Sequence, residues 1–155
     1  MPDETIYYMR ARFPTHLPLN RLYTQSHGWL SEVRPGVWRV GLTKFASRML
    51  GDMVEFGFGV RAPDHVAVGQ VIGWAEGFKA VSDLYCVAEG EFLGQNPALD
   101  ADITLIDAKP YAEGWLYEVH GSPDPEALDV HRYIALLDAT IDNLLASRHE
   151  EVEGV

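Results

Sequence analysis

The chain has 155 residues and a formal net charge of −11, with 23 acidic residues against 12 Lys and Arg. This length predicts a single domain, and a hydrophobic share of 47% is enough to build a core and excludes wholesale disorder. Because so acidic a surface repels phosphate backbones and anionic lipids, we expect neither a nucleic-acid partner nor a membrane partner.

The single cysteine, Cys86, excludes an internal disulfide and a zinc site with two cysteine ligands from one chain. No apolar run approaches the roughly 18 residues that a membrane-spanning helix needs. The acidic opening Met-Pro-Asp-Glu has no apolar signal region behind it. We therefore expect a cytoplasmic protein.

The first half of the chain predicts an extension followed by a hairpin and a short helix. Residues 1–21 contain three prolines and no clear period, so we expect them to drape over the domain without forming an element. Residues 27–33 and 37–42 are typical of two strands joined by an Arg-Pro-Gly turn. Thr43 is a suitable N-cap for a helix over 44–50.

The middle of the chain alternates apolar and polar residues, as half-buried strands do. Strands are predicted over 52–58 and 66–74, the latter with Ile72 and Trp74 on one face. Segments 68–76 and 81–92 have the pattern of two hairpin arms. Residues 77–80 would then form the tip.

The last third predicts one short helix within 98–106, a strand over 114–119 and a long helix over 127–147. The whole pattern favours a mainly β fold, a small barrel or sandwich with short helices and a C-terminal helix. We divide the chain into an N-terminal extension (1–21), one domain (22–147) and a flexible polar tail (148–155).

No self-contained catalytic or metal site is apparent. The chain lacks a Gly-x-Ser-x-Gly elbow, a phosphate-binding loop and any metal-binding histidine spacing. Cys86 lies in an alternating segment without an activating base, so we expect a small apolar core residue. We expect His27 to be a hydrogen-bonded histidine at a strand start. The four tryptophans are interpreted as packing residues, in the core or near the surface, and not as substrate contacts: Trp29, Trp38, Trp74 and Trp115.

Lys79 is one of only three lysines and lies between two strand-like runs. A lysine at a hairpin tip is held in water on a rigid support, which suits covalent attachment of a long prosthetic arm. An ordinary solubilising lysine on a turn has the same local pattern. The scarcity of lysine and the absence of another chemical site favour the attachment hypothesis.

Five blocks of sequence, in order, resemble the H protein family of the glycine cleavage system, the lipoyl carriers. The blocks are Tyr-Thr-Gln-Ser-His-Gly-Trp at 23–29, residues 40–43 with 50–54, Glu-Gly-Phe-Lys-Ala-Val-Ser-Asp-Leu-Tyr at 76–85, Asn-Pro-Ala-Leu at 96–99, and Pro-Tyr-Ala-Glu-Gly-Trp-Leu at 110–116. The resemblance implies a barrel-sandwich hybrid of two facing antiparallel sheets, with lipoate bound covalently to Lys79.

The resemblance also implies a non-catalytic carrier without catalytic residues or a metal of its own. Its arm would receive an aminomethyl group at glycine decarboxylase (P protein) and deliver it to aminomethyltransferase (T protein). Dihydrolipoamide dehydrogenase (L protein) would reoxidise the arm, and a lipoate ligase or lipoyl transferase would load it. Glu76 and Asp83 are candidate recognition contacts around the tip, or residues that only keep it soluble.

Departures from the family pattern leave two alternatives open. Gly77 and Phe78 replace the usual small-then-aliphatic pair before the lysine; we expect Gly77 to loosen the tip and Phe78 to expose its ring. One alternative is an H-like lipoyl carrier of another pathway, such as sulfur oxidation. The other is a scaffold domain that kept the fold and is never lipoylated.

Overall fold

The computed structural model describes the backbone of residues 3–153 and the side chains of residues 3–148. Its strands are β1 (Thr5–Arg10), β2 (Phe13–Pro18), β3 (Leu22–Tyr23), β4 (Gly28–Arg34), β5 (Val37–Leu42), β6 (Met53–Phe58), β7 (His65–Val66), β8 (Val71–Gly77), β9 (Val81–Tyr85), β10 (Ala88–Gln95) and β11 (Tyr117–Pro123). Its helices are α1 (Lys44–Leu50), α2 (Ala98–Ala101), α3 (Leu105–Ala108) and α4 (Val130–Glu153).

The strands form three open antiparallel sheets. The largest has the order β3-β4-β5-β11-β10-β7, the second has the order β6-β8-β9, and β1 pairs with β2 in the third. The main core lies between the two larger sheets and includes Leu30, Ile72, Phe92 and Val119. This arrangement confirms the predicted mainly β barrel-sandwich architecture with a C-terminal helix.

Local sequence signals explain the elements that were predicted best. The hairpin β4–β5 and the helix α1 lie where the sequence indicated, within a residue or two. The Thr43 side chain accepts a hydrogen bond from the Ala46 amide and so caps α1. Gly51 ends the helix with a φ of 81°, a left-handed conformation that glycine adopts without a steric penalty.

The expectation that residues 1–21 form no element is wrong, because β1 and β2 make a hairpin; Met1 and Pro2 lie outside the described residues. Phe13, Thr15 and Leu17 alternate inward from β2, a period-two signal that the flanking prolines obscured. Prolines are tolerated here because this two-stranded sheet consists of edge strands only.

Two predicted strands are each divided in the structure. The segment 66–74 is broken by a turn in which the Gln70 amide donates to the Ala67 carbonyl, leaving β7 and β8 in different sheets. The segment 81–92 is broken at residues 86–87, where the chain passes from β9 in the smaller sheet to β10 in the larger one.

The C-terminal third also differs in detail from the prediction. The segment 98–106 contains α2 and the start of α3 instead of one helix, and β11 begins at Tyr117, three residues later than predicted. Asp129 accepts a hydrogen bond from the Arg132 amide, which explains why α4 begins at Val130. The helix extends past residue 147 to Glu153; the flexibility of the tail stays a prediction.

A second core cluster joins α4 to the N-terminal hairpin. Tyr133 stacks on Tyr23 with ring centroids 4.6 Å apart, and Leu137 and Ile141 pack in the same cluster as Phe13 and Leu17. None of the helices in the described residues is long and apolar enough to cross a membrane.

Candidate functional site

Lys79 lies at the tip of the hairpin β8–β9, as the sequence predicted. Glu76 pairs with Val81 as the last cross-strand pair, and the Gly77 amide donates to the Ala80 carbonyl at 2.9 Å. The Lys79 side chain is exposed. Among the side chains of residues 3–148, no carboxylate lies within 4 Å of its ammonium group.

The backbone of the tip is bound to the C-terminal end of α1. The amides of Lys79 and Ala80 donate to the Leu50 carbonyl at 2.8 and 3.3 Å, and the Phe78 amide donates to the Asp52 carbonyl at 3.0 Å. Carbonyls at a helix C-terminus lack partners within the helix. The tip therefore supplies hydrogen-bond donors to the end of α1, and α1 in turn fixes the backbone that carries Lys79.

Gly77 makes this close contact possible. It is buried, and a Cβ atom added there would lie 2.2 Å from the Leu50 carbonyl oxygen and 2.7 Å from that of Gly51. The expectation that Gly77 loosens the tip is therefore wrong, because the missing side chain lets the tip pack directly on α1. Phe78, in contrast, is 81% exposed, as expected.

The structure places Glu76 and Asp83 on one face of the hairpin. The pairs Glu76–Val81 and Trp74–Asp83 follow one another along the two strands, so their side chains emerge on the same side of the sheet. Glu76 is half-buried and Asp83 is exposed. The two carboxylates thus lie on the same face of the two strands that lead to the tip.

Trp74 also lies on this face, so the expectation that it shares a face with Ile72 is wrong, whereas a packing position near the surface is what the sequence indicated. It is 39% exposed, and its ring lies about 3.0 Å from where a Cβ of Gly57 would be. The reason is a register shift between Val71 and Gly73, which turns Ile72 into the core and Trp74 outward. Tryptophan is enriched among the residues that contribute most to binding at protein–protein interfaces.

A largely apolar cleft of about 350 Å³ begins beside Lys79. One wall is formed by β9 with Ala80, and another by α1 with Phe45 and Met49. Its polar lining residues include Ser26, His27, Ser82 and Asp83. The cleft is large enough to receive a flexible apolar arm attached at the tip.

His27 and Cys86 have the structural roles that the sequence indicated. His27 Nδ1 lies 2.9 Å from the Tyr133 hydroxyl, and burial lowers the pKa of its imidazole to about 4. Burial raises the pKa of the Cys86 thiol, whose Sγ donates to the Ala88 carbonyl at 2.9 Å. No group of three potential metal ligands occurs in the described part of the chain.

Comparison with known proteins identifies the family. The profile of the family described as glycine cleavage H-protein matches residues 21–135. This chain belongs to the glycine cleavage H-protein family. Similar proteins include the glycine cleavage system H proteins of Salmonella arizonae, 36% identical over 132 residues, and of Citrobacter koseri, 36% identical over 130 residues. Each alignment covers 80% of this chain and 98% of the relative.

A solved structure agrees with this membership. The crystal structure of a glycine cleavage system H protein from Mycobacterium marinum superposes with a TM-score of 0.70 at 33% identity, covering 77% of this chain and 97% of that one. The comparisons therefore confirm the family resemblance that the five sequence blocks indicated. Residues before 21 and after 135 lie outside the family match.

Proposed function

We propose that this H-family chain is a lipoyl carrier of the glycine cleavage system, with lipoate joined through an amide bond to Lys79 Nζ. The observation that carries the proposal is an exposed lysine on a tip whose backbone is held by α1. The other two lysines are less suited. The Lys44 ammonium donates to the Asp107 carbonyl at 2.9 Å, and Lys109 lies 3.8 Å from Glu113.

The bound lipoate would supply a dithiolane that accepts and releases the one-carbon unit. The chain itself would supply position. A tip bound through three backbone amides holds the root of the arm still, while the arm beyond Nζ stays free to swing. Such tethering raises the effective concentration of the bound group at each successive partner. In this proposal the chain is a carrier and performs no bond-breaking step.

The apolar cleft beside Lys79 supports the proposal, because it offers the arm a place to rest between partners. Ala80 and Val81 continue directly from the lysine into the wall of the cleft. Burial of apolar groups in such a cleft contributes about 25 cal/mol per Å² removed from water. The residues that line this cleft would hold the arm while no partner is bound.

The proposed partners are glycine decarboxylase, aminomethyltransferase and dihydrolipoamide dehydrogenase, together with a lipoate ligase or lipoyl transferase that loads Lys79. Glu76 and Asp83 would steer a partner with a basic rim toward the tip, chiefly by raising the rate of association. The exposed rings of Phe78 and Trp74 would supply the apolar contact. The proposed compartment is the cytoplasm, whose reducing conditions suit the free thiol of Cys86.

Intact mass spectrometry tests the attachment site. The protein is incubated with lipoate, ATP and a lipoate ligase, and Lys79→Arg is compared with Lys44→Arg and Lys109→Arg. We expect a gain of one lipoyl group in the wild type and in both control variants, and none in Lys79→Arg. A wild-type chain that gains no mass, beside a carrier that is loaded in the same reaction, would contradict the proposal and favour an unmodified scaffold domain.

A carrier for another lipoate-dependent pathway, such as sulfur oxidation, is the second candidate. The hairpin β1–β2 and most of α4 lie outside the family match and add surface that different partners could use. The loaded chain is therefore mixed with glycine decarboxylase, and exchange of the glycine carboxyl carbon with labelled bicarbonate is measured. Exchange that depends on the loaded chain supports glycine cleavage, and its absence with an active decarboxylase favours the other pathway.

A further inference from the structure

The two segments outside the family match pack against each other. Arg10 on β1 pairs with Asp138 at 3.3 Å and with Asp142 at 2.8 Å, both on α4. The Tyr8 hydroxyl donates to Asp138 at 2.8 Å. Together with α1, the hairpin turn and the distal part of α4 enclose a groove of about 630 Å³, which we call the arginine groove.

The arginine groove has an apolar floor and exposed apolar walls. Phe13, Phe45 and Ile141 form the floor and are buried. The walls include Met49, Leu144 and Leu145, each nearly half exposed. Among the described side chains, those of residues 3–148, every charged residue of the lining is an arginine: Arg10, Arg12, Arg48 and Arg148. Arginine, methionine and aromatic residues are enriched in protein–protein interfaces, whereas lysine and acidic residues are depleted.

The charge of the arginine groove is opposite to that of the chain. Arg10 is neutralised by Asp138 and Asp142, but no carboxylate of residues 3–148 lies within 4 Å of the guanidinium groups of Arg12 and Arg48. The Arg48 guanidinium donates to the Arg12 carbonyl and lies 5.6 Å from the centroid of the Phe13 ring. In a chain of net charge −11, a groove in which Arg12 and Arg48 have no carboxylate partner among residues 3–148 fits an acidic partner.

The arginine groove lies next to the proposed lipoyl site. Phe45 and Met49 of α1 line both this groove and the cleft beside Lys79. The same helix ends at Leu50, whose carbonyl accepts the hydrogen bond from the Lys79 amide. A protein seated in the groove would therefore lie one helix away from the lysine.

We propose that the arginine groove docks a partner protein that acts on the Lys79 arm and presents an apolar segment flanked by carboxylates. This inference rests on the proposed function, because it concerns an enzyme that loads or uses the arm. It assigns a role to the two segments that this chain has beyond the family match. The arginines of the groove would contact acidic residues of the partner, and Glu76 and Asp83 would contact its basic residues. These two contacts of opposite charge would orient the partner on the chain.

Steady-state kinetics with each proposed partner tests the docking site. The variant Arg12→Glu/Arg48→Glu is compared with Arg61→Glu/Arg132→Glu, which changes the net charge equally at exposed arginines outside the groove. For at least one partner, we expect the KM for the carrier to rise about tenfold in the groove variant with kcat unchanged, since only binding is lost. Arg12→Lys/Arg48→Lys should retain most of the affinity, and Leu145→Ser should raise KM without changing the charge.

Three results would overturn the inference. The KM values of the groove and control variants could agree within twofold for every partner. Sedimentation velocity could show a dimer that the groove variant abolishes, which would assign the groove to a second copy. The wild type could bind anionic lipid vesicles through these arginines. If no partner accepts the wild-type chain, the proposed function itself fails, and that result is distinct because it appears before any variant is compared.

Discussion

Replacing Gly77 by alanine tests whether close packing on α1 holds the tip. The added Cβ would lie 2.2 Å from the Leu50 carbonyl oxygen, a separation that no relaxed structure accepts. The obstacle is backbone, so it cannot rotate away as a flexible side chain would. Either the tip moves off α1 or the overpacked contact persists under strain.

Both routes should lower the free energy of unfolding by a similar amount. If the tip moves, the hydrogen bonds from Phe78, Lys79 and Ala80 to α1 and Asp52 are weakened or lost, at about 1 kcal/mol each. If the tip stays, overpacking costs about 1–3 kcal/mol. We therefore expect Gly77→Ala to lower the free energy of unfolding by about 1–3 kcal/mol. Faster hydrogen exchange at the amides of Lys79 and Ala80 would identify the first route.

Gly59 provides a matched control in the same chain. A Cβ atom added there would have no neighbour within 4 Å. Gly59→Ala and Gly77→Ala remove the same backbone conformational freedom from the unfolded chain, which raises the free energy of unfolding by about 0.4–1 kcal/mol. The comparison, made by urea denaturation, therefore isolates the contact in the folded state. Equal stabilities of the two variants, with unchanged exchange at Lys79, would refute the reasoning.

Three further predictions concern buried groups. Burial lowers the pKa of His27 to about 4 in the folded chain, whereas the pKa of an unperturbed histidine is about 6.5. As the pH falls below 6.5, His27 is therefore protonated in the unfolded chain before it is protonated in the folded one. The free energy of unfolding should drop by up to about 3 kcal/mol between pH 6.5 and 4. Asparagine tolerates the positive φ of this position, so His27→Asn should keep the fold. In this variant, the free energy of unfolding from urea denaturation should change little between pH 6.5 and 4. An equal drop in the variant and the wild type would show that His27 does not cause the pH dependence. Tyr133→Phe removes a hydroxyl that lies 2.9 Å from both His27 Nδ1 and Thr43 Oγ1. Thermal denaturation should show that the free energy of unfolding falls by about 1–3 kcal/mol. An unchanged midpoint would mean that water replaces the missing hydroxyl. Cys86 is buried with a raised thiol pKa, so it should react with a thiol reagent only after the chain is unfolded in urea; rapid native labelling would show that the segment between β9 and β10 opens.

Much of the candidate site was predictable because its signals are local. Thr43 caps α1 through a contact three residues away, and Lys79 stands between two runs of period two, so neighbouring residues alone indicate a helix and a hairpin tip. Ordered sequence blocks then identified the family. The site residues Lys79, Glu76 and Asp83 follow from that pattern, and their roles stay predictions.

The remaining features depend on contacts between residues distant in sequence. Alternation from residue 81 to 92 indicates strand but carries no information about where the chain changes sheet, and a register shift beside Ile72 reverses the side on which Trp74 emerges. Likewise, the packing of β1 on α4 depends on ion pairs between residues about 130 positions apart.

The amino-acid sequence by itself therefore determined the strand-rich class, the family and an exposed lysine at a hairpin tip. Only the tertiary structure decided that Gly77 tightens the tip instead of loosening it, because the Leu50 carbonyl that it meets lies 27 residues earlier in the chain. It likewise decided that four arginines gather in one groove beside α1. Composition gives the charge of a chain, but folding decides where on the surface that charge is concentrated.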